Sequence, residues 1–100
     1  MEQFVFPAAF YQDKDNEGYV VAFDDVQVYC TGQTVEDAFL KAKSYLKEFC
    51  RLSMKLYGGV QETPRSYVES KKIHKNDIVL LVDAEVPGKK AEKINDDIFE

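Results

Sequence analysis

Apolar residues alternate faces at the start of the chain. Over residues 3–11, Phe4, Phe6, Ala8 and Phe10 fall on one side, and Val5, Pro7, Ala9 and Tyr11 on the other, which is the period of two of a β-strand. Pro7 has no N–H to give a ladder, so it predicts an edge position or a bulge. Residues 12–18 are rich in Asp, Asn and Gly and lead into a second strand at Tyr19–Phe23, which makes the pair a hairpin. A third short strand is predicted over residues 27–31, ended by Gly32.

The period then changes to that of a helix. Thr34 is placed as an N-cap, with Glu36 and Asp37 in the first turn complementing the helix dipole. Apolar residues recur from Val35 through Ala38, Ala42, Leu46 and Phe49 to Leu56, ahead of the stop at Gly58-Gly59. The predicted helix is about 34 Å long at ~1.5 Å per residue. Residues 62–76, punctuated by Pro64 and Ser66, have room for one short helix around 67–72. The nearly unbroken apolar run IVLLVDAEV at Ile78–Val86 predicts a strand in the interior of a sheet, closed by Pro87-Gly88. Residues 89–100 form a charged tail.

This order predicts one α+β domain over residues 1–88, a two-layer antiparallel β-β-β-α-β sheet with one long helix on one face. A single helix covers a single face. Val5, Ala9, Tyr11, Val20 and Ala22 on the second face therefore call for another cover, either a homodimer or higher homo-oligomer, or residues 62–76 with the tail.

The net charge of -5 is unevenly distributed. Residues 1–37 hold eight of the 18 acids and one of the 13 bases. Such a region repels nucleic acid and attracts basic proteins, which makes Asp13, Asp15, Glu17, Asp24 and Asp25 candidate contacts for a basic partner. No apolar run approaches the ~18 residues of a membrane span, and the amino terminus has no leader pattern. Cys30 and Cys50 sit in apolar patterns without neighbouring ligands and read as free thiols of a reducing, cytoplasmic compartment.

Catalytic patterns are absent. The first strand carries no acid of the kind a metal-dependent nuclease places there. Asp13, Asp15 and Glu17 alternate, but no terminal bidentate Glu follows at the spacing of a calcium loop, so no metal is expected. His74 lies in a basic segment with no nucleophile near it and reads as a surface histidine. Gly58-Gly59 follows a helix and is no phosphate loop, and no cofactor is expected. Lys43, Lys47, Arg51 and Lys55 recur every four residues as a basic stripe; it supports an alternative reading as a nucleic-acid-binding regulator, against the plainer one of a solvated helix face.

FPAAFYQDKDNEGYVVAF resembles the opening of HicB-type antitoxins, TGQTVEDAFLKAKSYLKEF their next segment, and PRSYVESKKIHKNDIVLLVDAEV their closing one. The resemblance implies a partial RNase H-like fold without the nuclease site, no enzyme activity, and binding to a small basic HicA-like toxin whose RNA-cleaving surface it masks. Two departures stand out. Residues 23–29 lack the family's Pro-Asp-Leu-Pro-Gly-like segment, and only fourteen residues follow Val86, fewer than the roughly 20 that two short helices and a turn need. Direct DNA binding is accordingly not expected.

Overall fold

The computed structural model describes residues 2–87, so the expected tail at 89–100 lies outside the described residues. Within them the elements run β1 (Glu2–Gln12), β2 (Tyr19–Phe23), β3 (Tyr29–Gly32), α1 (Val35–Tyr57), α2 (Tyr67–Ile73) and β4 (Ile78–Val86). The four strands form one antiparallel sheet in the order β3-β2-β1-β4. The α+β class and the single long helix are as the pattern predicts.

The inner face of the sheet is closed by α1. Phe6, Ala8 and Phe10 of β1, Val21 of β2 and Val82, Ala84 and Val86 of β4 meet Ala38, Ala42, Leu46 and Cys50. Phe10 stacks on Phe39 with ring centroids 6.4 Å apart. Thr34 caps the helix by accepting from the Asp37 N–H at 3.0 Å, and Gly58 ends it in the left-handed region at φ 79°. Gly32 lets β3 run under the first turn of α1, because a Cβ there would stand 2.4 Å from the Ala38 nitrogen.

Three expectations change. Pro7 is not on an edge strand: β1 lies between β2 and β4. Pairing to β2 begins only at Ala8, however, so the half of β1 that holds Pro7 has β4 as its one neighbour, and the missing N–H is tolerated there. Second, β4 is an edge strand and not an interior one. Its continuous apolar character reflects burial on both faces, with Val82, Ala84 and Val86 in the α1 core and Val79 buried on the opposite side. Third, β3 begins at Tyr29, since Val26 and Val28 turn into the core as loop residues.

The second face is partly closed by α2, which packs against β1 and β4. Pro7, Ala9 and Val79 are buried there although α1 is on the far side of the sheet. The long helix is therefore not the only cover, and residues 62–76 supply the second one.

Candidate partner-binding surfaces

The first hairpin presents its acids on a built loop. The Asp13 N–H donates to the Gly18 carbonyl at 3.1 Å, and the Asp13 carboxylate accepts from the backbone N–H groups of Asp15 (3.0 Å) and Asn16 (3.3 Å). Those bonds favour the charged form and hold the Asp13 carboxyl below the usual carboxylate range, the Asp15 N–H contributing most. Gly18 completes the turn at φ 114°, with Gly32 backbone filling the space a side chain would need. Asp13, Asp15 and Glu17 are all at the surface.

Asp24 and Asp25 are used differently. Asp25 accepts from the Arg65 Nε at 2.9 Å and from the Arg65 backbone N–H at 3.1 Å, and its side chain is only 9% exposed. Asp24 accepts from the Ser70 hydroxyl at 3.2 Å and lies 2.9 Å from His74 Nε2. His74 Nδ1 is 3.5 Å from Asp77. The two acids expected to meet a partner are thus committed to fastening the segment that carries α2. His74 is likewise not a plain surface histidine but a half-buried clamp between two carboxylates. In sequence these pairs are 40 to 50 residues apart, and the signal that would find them is the adjacency of Asp24-Asp25 opposite a segment bearing Arg65, Ser70 and His74.

The proposed self-association set is also divided. Ala9 and Val20 are buried within the chain, Ala22 is half-buried, and Val5 and Tyr11 remain 38% exposed. On α1, the basic stripe is partly spent on neighbours. Lys43 donates to Asp83 at 2.9 Å, and Arg51 pairs with Glu48. Lys47 and Lys55 have no ion-pair partner among the described residues, so an evenly spaced set of four free cations is not presented to a phosphate backbone.

Among the described residues no three His, Cys, Asp or Glu side chains are disposed to hold a metal ion. Cys30 and Cys50 are free and buried; burial pushes the Cys50 thiol up to about 11, which makes it a poor nucleophile. The cleft beside the hairpin, about 590 Å³, is lined by Phe10, Tyr11, Gln12, Lys14, Tyr19 and residues 76–78, and its lining contains no Ser, Cys or His. No described helix is long and apolar enough to cross a membrane.

Fold and surfaces define a class first: a small α+β module in which Asp24 and Asp25 fasten the α2 segment while the acids of the first hairpin stay at the surface. Solved structures share that fold. The chain superposes on the antitoxin HicB of Burkholderia pseudomallei with a TM-score of 0.67 at 23% identity, covering 79% of this chain and 61% of that one. It also matches a chain of a toxin–antitoxin complex from Streptococcus pneumoniae, TM-score 0.67 at 15% identity, over 97% of this chain and 89% of the other. The chain has a HicB-type antitoxin fold, and it spans about three-fifths of the Burkholderia protein. No family model and no curated protein sequence matches it.

Proposed function

We propose that this chain is an antitoxin-type binding module, without chemistry of its own, that neutralises a small basic HicA-like toxin in the cytoplasm by covering its RNA-cleaving surface. The observation that carries this reading is the fold shared with HicB over 79% of this chain and with a chain of a toxin–antitoxin complex over 97% of it. The acidic hairpin supports a basic partner. Because Asp24 and Asp25 already have internal partners, the contacts narrow to Asp13, Asp15 and Glu17, whose charges stand in solvent and steer association.

The test is co-expression with the product of the adjacent open reading frame, which is expected to be a small basic chain. The module is expected to relieve the growth arrest that chain causes and to co-purify with it. Replacing the hairpin acids together (Asp13→Asn, Asp15→Asn, Glu17→Gln) is expected to weaken binding by about tenfold or more, chiefly by slowing association, with the loss shrinking in high salt. A neighbouring chain that neither co-purifies nor is neutralised refutes the role.

A further inference from the structure

The core-facing row of α1 leaves a second apolar row on one flank. Tyr45, Phe49, Leu52 and Leu56 are spaced four, three and four residues apart, the spacing of a coiled-coil seam. At about 100° per residue they lie to one side of the Ala42–Leu46–Cys50 row that meets the sheet. Tyr45 is 52% exposed, Leu52 43% and Leu56 67%, while half-buried Phe49 packs on the core and anchors the row. Glu48 and Lys55 border it, one heptad apart.

We propose that this flank of α1 is an antiparallel interface with a second copy of the chain. About a two-fold axis that sets Phe49 opposite Leu52 of the copy, Tyr45 falls opposite Leu56, and Glu48 is brought beside Lys55 of the copy, twice. The surface is therefore complementary to itself in charge as well as in apolar spacing, as an isologous contact requires. Glu48, 58% exposed, has acceptor capacity for Lys55 of the copy beyond its own Arg51. A basic partner fits less well here, because Lys41, Glu48 and Lys55, which border the seam one heptad apart, carry two bases to one acid. The sheet face is the weaker candidate for self-association, since Ala9 and Val20 are already buried. The inference rests on no part of the toxin-binding reading.

The seam is short, so the dimer is expected to dissociate on dilution. Sedimentation equilibrium of the full chain should give twice 11.5 kDa at high concentration and fall toward the monomer mass. Leu52→Asp with Leu56→Asp, both at exposed sites, should leave the circular dichroism spectrum unchanged and abolish the dimer. Glu48→Lys or Lys55→Glu alone should raise the dissociation constant by about tenfold, and the two together should restore it, which a merely structural role would not do. Mixing Tyr45→Cys with Leu56→Cys protein should give a disulfide-linked heterodimer, with neither variant linking efficiently to itself. A chain monomeric at the highest soluble concentration overturns the proposal. So does a dimer that survives Leu52→Asp/Leu56→Asp and is lost in Val5→Asp/Leu81→Asp, which would place the contact on the sheet face.

Discussion

On one face of the sheet α1 lies with Ala38, Ala42, Leu46 and Cys50 wholly buried; on the other, α2 buries Ser70 alone among its residues. The first contact is apolar along 23 residues and is redundant, so no one side chain holds it. The second is a seven-residue helix, too short to be stable alone, capped by the reciprocal Ser66 and Glu69 bonds and tied down by Arg65, Ser70 and His74 to Asp24 and Asp25. One side of the molecule is held by area and the other by directed polar bonds. Damage to the first should cost the whole fold; damage to the second should open one strap.

The largest effect is expected at Leu46, fully buried where α1 crosses the sheet. Leu46→Ala should lower unfolding stability by about 2–5 kcal/mol, read as a lower urea midpoint with an unchanged slope. A loss under about 1 kcal/mol would mean that the α1 side does not dominate stability.

Asp25→Ala should cost less, about 1–3 kcal/mol, because it strands the Arg65 guanidinium and backbone N–H in a partly buried place. The distribution matters more than the size. Amide exchange should rise over Tyr67–Ile73 well before it rises in α1. If both helices loosen together, the strap is part of one cooperative unit and the contrast drawn between the two faces fails.

The same contrast decides what could be read in advance. The α1 limits, Thr34 cap and Gly58 stop are local signals repeated by a long apolar period, and the structure places them where the period does. The short helix was legible from Pro64, Ser66 and the gap in patterning. That it covers the second sheet face was one of two readings left open, and the choice was not legible, because the fastening is set by Asp24 and Asp25 meeting residues some 40 positions later, and pairing at that distance leaves no periodic trace. The same limit misplaced β4: burial on two faces gives one apolar run whether a strand is central or at an edge. At the surface, the hairpin acids were legible as a charge cluster, whereas the division of labour between Asp13, Asp15 and Glu17 and the two anchoring aspartates needed the fold.

The smallest expected effect lies at the sheet's β4 edge, where the Lys43 ammonium reaches Asp83. Its hydrogen bond and charge hold the Asp83 carboxyl below the usual carboxylate range. A folded-state value below the unfolded one stabilises the native state above about pH 4, and that contribution fades as pH falls through the lowered folded value. With the two side chains 45% and 33% exposed, solvent limits the pair to at most about 0.5–1 kcal/mol. Lys43→Ala should therefore destabilise slightly at neutral pH, and the difference from the parent should vanish in acid and shrink in molar salt. A difference that persists in acid would show that the Lys43 stem, lying along α1 and the sheet edge, stabilises by packing and not by charge. The β4 edge would then be closed by the kind of contact that holds the α1 face, and the polar fastening would be confined to the α2 strap.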